Sequence, residues 1–371
     1  MVLASAYAAR LILETHAEEA ASNLAPKGRE FIMVCDTYAK SYTHEEVSRT
    51  QATRPGPLYA LDVAAGETTT INLPFFGHIV NQHPLHTSHV LTFEKWGHHG
   101  AVIDITSKKI VAMMEPYKGH EFFGHLLFNT DGTHFVDSEF SANQAIGKLA
   151  VRDSSTMQIV DTYSSYGARP HGSFSSDNGK TIMVANGGHG EGTSNISWID
   201  FASGKLLHQL DMKAGNYIDY QHVDMSHDGW FCIVGKSTRQ TVELIKFISP
   251  DGRVYSPDIP ENLKKIMHDE TLSIAMLGKS GLVAVTIPKS DVIVIIDYKT
   301  QKLVEAITLD YPRGALPSLD PRDGDGAVLA TLGKARELIS IKVDADHKKP
   351  VTHLVKNHFG GIGSHMTRMY I

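Results

Sequence analysis

Past residue 28 the chain is a series of short apolar runs separated by turn residues, with little of the three-to-four spacing of an amphipathic helix. EFIMVCDTY, HVLTFEKW, GAVIDI, KIVAMMEP, KTIMVANG, SNISWID, GLVAVTIP, DVIVIID and GAVLATLG read as β-strands rich in Val, Ile and aromatic residues. Thr130-Asp131-Gly132, Ser176-Asp177-Asn178-Gly179, His227-Asp228-Gly229 and Pro250-Asp251-Gly252 read as the tight turns between them. The one helical pattern lies ahead of the strands. Leu11, Leu13, Ala17, Ala20, Ala21 and Leu24 fall on one face over residues 7–24, and Pro26 and Gly28 end the helix.

The strands repeat. GHIVNQHP, GHLLFNTDG, PHGSFSSDNG and QHVDMSHDG start at His78, His125, His171 and His222, at intervals of 47, 46 and 51 residues. That period is the length of a four-stranded propeller blade, roughly 40–50 residues. Two further units continue at DETLSIAMLGKSG and RGALPSLDPRDGDG. The C-terminal GSHMTRMYI then reads as a first strand with nothing after it, and the N-terminal EFIMVCDTY, PLYALDV and TTTINLP as strands two to four with no first strand. Joined, the two ends complete a seventh blade and leave no exposed sheet edge between the termini. A two-domain β-sandwich does not account for complementary half-blades. The sequence therefore predicts an all-β, seven-bladed β-propeller over residues 29–371 with a helical extension over 1–28.

Composition narrows the chemistry. With 35 Lys+Arg against 41 Asp+Glu the formal charge is −6, which disfavours nucleic acid as a partner. No run is long and apolar enough for a membrane-spanning helix. The N-terminus lacks a basic segment ahead of an apolar one, so a secretory signal is expected to be absent or trimmed. Cys35 and Cys232 fall on second strands of blades on opposite sides of the propeller and are expected to be buried thiols rather than a disulfide. Histidine is in excess, at 21 residues.

Those histidines are organised. Aligning the first strands FFGHIV, FFGHLL, ARPHGS, DYQHVD, HDETLS, PRGALP and GIGSHM places His78, His125, His171, His222 and His365 at one position in five blades. The other two blades carry Asp269-Glu270 and Arg313 there. First strands line the central channel of a propeller, so this register predicts converging imidazoles suited to a metal or an anion. Without thiolates they suit a divalent transition metal, whether iron, zinc or copper. His78, His125, His171 and His222 come from consecutive blades and lead the set. His98 and His99 in WGHHG, His189 in ANGGHGEG, and His120 and Glu121 ahead of the second blade are further ligands expected on the same face. His83, His86, His89 and His227 read as turn residues of the opposite face. Asp104, Asp200 and Asp297 end third strands, where turn roles are expected, and no GxSxG, HExxH or CxxC motif is present.

The run GHEFFGHLLFNTDGTHFVDSEF, then YGARPHGSFSSDNGKTIMVANGGH, resembles a family of bacterial propellers of unknown function. The matching positions are His125, Asp131-Gly132, Glu139, Pro170-His171 and Ala185-Asn186-Gly187-Gly188, with His78 and Gly100 to Asp104 in a looser earlier match. The acidic residue that commonly follows the histidine of the second segment is missing after His171-Gly172. The resemblance implies an exported, periplasmic protein encoded beside imelysin-type iron-uptake proteins, which would be its envelope partners. The leading expectation is a non-catalytic metal-binding propeller accessory to metal uptake. The alternatives are a histidine-ligated copper or iron redox enzyme and a protein-interaction scaffold without metal.

Overall fold

The computed structural model describes residues 28–36, 55–141, 146–175, 177–187, 194–212, 218–237, 244–267, 270–319, 326–333, 335–343, 350–361, 363 and 365–371. The helix expected over residues 7–24 and the loop histidine His189 lie outside them. The fold is a seven-bladed β-propeller, and its strands fall into two compact units.

The first unit holds four blades. Its opening blade contains β1 (Glu30–Cys35), β2 (Gly56–Asp62) and β3 (Glu67–Leu73). The His78 blade has β4 (Val80–Gln82), β5 (His89–Phe93), β7 (Gly100–Asp104) and β8 (Lys109–Met114), and sends out a short strand β6 (Lys95–Gly97). The His125 blade has β9 (Glu121–Phe128), β10 (His134–Phe140), β11 (Lys148–Asp153) and β12 (Ile159–Ser164). The His171 blade has β13 (Pro170–Phe174), β14 (Thr181–Asn186), β15 (Asn195–Asp200) and β16 (Leu206–Asp211).

The second unit holds three blades: β17 (Ile218–Met225), β18 (Phe231–Ser237), β19 (Ile245–Ile248) and β20 (Val254–Tyr255); β21 (Ile274–Met276), β22 (Leu282–Ile287), β23 (Val292–Asp297) and β24 (Lys302–Thr308); β25 (Pro312–Pro317), β26 (Ala327–Leu332), β27 (Glu337–Lys342) and β28 (Val351–Lys356). A one-turn helix, α1 (Glu261–Lys264), joins the first of these to the next. The last strand, β29 (Met366–Tyr370), returns to the first unit and pairs antiparallel with β1, Phe31 opposite Met369. The half-blades read from the two ends of the sequence thus form one sheet, β29-β1-β2-β3.

The apolar runs have a packing cause. Strands β14, β22 and β26 are buried at every residue, and in β22 each face is covered by a neighbouring blade of the same unit. In β22, Val283, Val285 and Ile287 pack toward Cys232, Val234 and Phe247, whereas Leu282 and Ala284 pack toward Val328, Ala330 and Ile341. The outermost strands have one covered face and alternate, as in Leu206–Asp211. Cys35 and Cys232 are buried free thiols, as expected. Burial pushes the Cys35 thiol up to about 12 and Cys232 well above its ordinary range, so both are inert. Asp104, Asp200 and Asp297 cap their turns, each accepting a backbone N–H two or three residues on.

One buried charge cluster anchors the entry to β9. Asp137, Glu139 and Arg152 are each at most 2% exposed. Arg152 donates from Nε to Asp137 at 2.5 Å and from Nη2 to Glu139 at 3.3 Å, while the Tyr117 backbone N–H reaches both Glu139 oxygens at 2.9 and 3.0 Å. One guanidinium cannot balance two buried carboxylates, so the pair holds a proton. Burial, and then the charge of Asp137, push Glu139 up to about 9, so Glu139 is the member of the pair that keeps the proton. The folded state therefore binds a proton that the unfolded chain releases above its ordinary carboxylate range. The stability this proton provides is complete below pH about 4.3 and is lost as pH rises towards 9. Urea unfolding is expected to show stability falling between pH about 5 and 9, and Glu139→Gln, which keeps a neutral donor in place, is expected to flatten that slope. An unchanged slope in Glu139→Gln would assign the proton elsewhere.

Candidate metal centre

His78, His125, His171 and His365 come from four inner-strand positions up to 287 residues apart in sequence, and the first unit brings them together. One ring nitrogen of each lies within 4.8 Å of the others'. Ring centroids are 4.4 Å apart for His125 and His171, 4.7 Å for His365 with either His78 or His125, 5.2 Å for His78 and His125, and 5.3 Å for His78 and His171.

Two local devices put them there. The first is a break in the inner ladder. In β9, Phe122 pairs with Glu139 and Leu126 with Asp137, so Phe123, Gly124 and His125 all lie opposite Ser138. In β13, His171 and Gly172 lie opposite Ala185 alone. A bulge suspends the two-residue alternation and re-aims a side chain that would otherwise enter the inter-blade core. The second is close packing at the FFGH glycines. Gly124 has φ +93°, and a Cβ there would stand 2.4 Å from the His78 ring. A Cβ on Gly77 would stand 2.3 Å from the Thr92 hydroxyl and 2.5 Å from the Cys35 sulfur. Gly124 accepts no side chain without moving His78, and Gly77 accepts none without moving Thr92 or Cys35.

The electrostatics favour neutral imidazoles. His125 and His171 are at most 5% exposed. Burial holds the His125 imidazole well below its usual range, and the neighbouring His365 and Lys95 push it the same way. A neutral imidazole offers a lone pair, the form a metal requires. Tetrahedral nitrogen ligands at about 2.0–2.1 Å from an ion lie about 3.3 Å apart. Nitrogens spread over 4.8 Å reach that arrangement by moving inward by about 1.5 Å at most.

A fifth side chain enters from an element the sequence reading assigned otherwise. HVLTFEKW reads as one strand followed by a loop, but the strand stops at Phe93, Trp96 takes a left-handed φ of 60°, and β6 crosses to pair with β9. The crossing places the Lys95 ammonium 3.1 Å from His171 Nε2, where Lys95 donates. His171 Nδ1–H then donates to the Phe123 carbonyl at 3.2 Å, which assigns the tautomer. Lys95 also stands over the Trp96 and Phe123 rings, 5.2 and 5.6 Å from their centroids. The left-handed Trp96 has no reliable mark in the sequence, so Lys95 could not be found there.

His98, His99, His120 and Glu121 do not join this group among the described residues. His98 is exposed, and His99 bonds Glu94 at 2.8 Å and stacks on Phe75. His120 is buried against Tyr117 and donates to the Lys118 carbonyl at 3.3 Å, and Glu121 begins β9. His222 belongs to the three-blade unit, buried on β17 directly after that strand's own ladder break. His83 does serve its turn: Nδ1 accepts the Leu85 and His86 N–H groups and Nε2 donates to the Ser154 carbonyl.

Comparison with known proteins bears on the fold and the family. A solved structure of a Lactobacillus plantarum protein is 14% identical with a TM-score of 0.63, covering 92% of this chain and 99% of that one. Kuenenia stuttgartiensis hydrazine synthase is 13% identical with a TM-score of 0.60 over 78% of this chain and 90% of its own. A chain of the mitotic checkpoint complex is 10% identical at 0.57, covering 78% and 79%. At such identities the likeness concerns the propeller fold alone. No curated protein matches the sequence. The signature of a family of proteins of unknown function, DUF1513, spans residues 71–334, well over half of the chain, and the chain belongs to that family.

Proposed function

We propose that this chain is a metal-binding β-propeller that holds one divalent transition ion on the imidazoles of its first unit, as an accessory to metal uptake. The observation that carries the proposal is the convergence of His78, His125, His171 and His365 from four inner-strand positions until one ring nitrogen of each lies within 4.8 Å of the others'. Half-buried to buried and without thiolates, such a set suits iron, zinc or copper. His222 enters the proposal as the fourth of the consecutive-blade histidines of the sequence register. A periplasmic location, iron as cargo and imelysin-type envelope partners are the reading that the resemblance of the His125 and His171 segments supports, and a binding rather than a catalytic role agrees with the lack of a nucleophile motif.

Protein purified without a His-tag and exposed to Fe(II), Zn(II) or Cu(II) is expected to retain about one equivalent of metal after desalting. The His125→Ala/His171→Ala variant is expected to lose at least about 90% of it, since removing two ligands leaves no closed set. Identical metal content in the two proteins would overturn the proposal. Thermal melts give a second check: metal at about 100 times its dissociation constant adds about 2.7 kcal/mol to the wild type and little to the double variant. Gly124→Ala, which pushes His78 aside, is expected to weaken binding about tenfold with the circular dichroism of the fold retained.

A further inference from the structure

We infer that the three-blade unit carries a ligand site of its own, in which Arg313 binds a small carboxylate. The inference does not rest on the metal-binding reading.

The backbone that presents His171 recurs around Arg313. In the His171 blade, Arg169 takes a left-handed φ of 56°, Pro170 opens β13, and His171 and Gly172 lie opposite Ala185 alone. In the three-blade unit, Tyr311 takes a left-handed φ of 50°, Pro312 opens β25, and Arg313 and Gly314 lie opposite Thr331 alone. In both, the carbonyl of the left-handed residue accepts a glycine N–H, from Gly187 at 3.2 Å and from Gly333 at 3.0 Å. The same bulge therefore re-aims Arg313 as it does His171. The segment is fixed on either side: the Arg313 carbonyl accepts the Thr286 hydroxyl at 2.7 Å, and the Gly314 N–H donates to Thr331 at 2.8 Å.

A tyrosine steadies the guanidinium. The Tyr311 N–H donates to Asp291 at 2.8 Å, and a Cβ on Gly333 would stand 2.4 Å from the Tyr311 ring, so only glycine lets the ring lie there. Left-handed backbone at a tyrosine is sparsely populated and persists where its surroundings impose it, as at ligand clamps. Arg313 Nη1 donates to the Tyr311 hydroxyl at 3.2 Å, and Cζ stands 5.6 Å from the ring centroid. Having accepted that bond, the hydroxyl keeps its own proton to donate.

The guanidinium is charged at every pH the fold meets. Its one hydrogen bond among the described residues goes to this neutral phenol, and Nε is shut off from solvent without an acceptor. An N–H in that state costs free energy that an anionic acceptor recovers. Arg313 is half-buried, which leaves the guanidinium within reach of a ligand. The Nε–H and Nη2–H bonds of an arginine are parallel and form the fork that both oxygens of a carboxylate accept. The Tyr311 hydroxyl supplies a third donor beside them.

The test titrates the full chain, without a His-tag and stripped of metal, with potassium malonate in a calorimeter at constant ionic strength. The pH is 8, above the ordinary imidazole range. The wild type is expected to bind one equivalent. Arg313→Met is expected to raise the malonate dissociation constant about tenfold or more, and Arg313→Lys, which keeps the charge without the fork, about fivefold. No malonate binding by the wild type, tighter binding of inorganic phosphate than of malonate, or equal malonate affinity in wild type and Arg313→Met would overturn the inference. Should Arg313→Met lose the circular dichroism of the fold, Arg313→Lys decides, and an affinity equal to the wild type's overturns it.

Discussion

An imidazole surrounded by other imidazoles and shut off from water must stay neutral, and the arrangement of the site follows from that constraint. Protonating His125 would put a cation at a position 5% exposed, beside His365 and within the field of Lys95. The neutral state leaves lone pairs, and buried lone pairs need an electrophilic partner. At His171 that partner is the Lys95 ammonium. For the cluster as a whole, the proposed metal ion would serve several lone pairs at once. The bulges in β9 and β13 and the glycines of the two FFGH segments are the backbone features that bring the rings this close.

Much of this was legible in the sequence, for identifiable reasons. Middle strands covered on both faces leave unbroken apolar runs such as DVIVIID, and hairpins leave Asp-Gly pairs. The spacing of those marks gives the blade count and the complementary ends. The histidine register was legible because each inner strand begins at the same point of its repeat. Beyond the register the sequence was silent. Whether His125 and His171 turn to a common point depends on ladder breaks that Phe123-Gly124 and His171-Gly172 do not announce. His98, His99, His120 and Glu121 share the expected loops, but Glu94 and Phe75 hold His99, and Tyr117 holds His120, in local contacts that spacing cannot reveal. Lys95 escaped because a single left-handed residue, Trp96, turns what reads as the end of a strand into a crossing strand.

The polar residues of the His125 and His171 segments have distinct physical tasks. His125 and His171 lie in the imidazole cluster, whereas Glu139, which stands between them in sequence, is a buried acid that ties the entry to β9 to the blade through Arg152 and the Tyr117 N–H. Glu139 is therefore a structural group, and its proton is independent of the metal reading.

The central claim is that neutral nitrogens from this cluster bind a transition ion, and X-ray absorption on the zinc- or iron-loaded chain addresses it most directly. The account predicts a first shell of three or four imidazole nitrogens at about 2.0–2.1 Å for zinc, no sulfur, and the multiple-scattering pattern of histidine rings. A shell of oxygen alone, or one with a single imidazole, would contradict it.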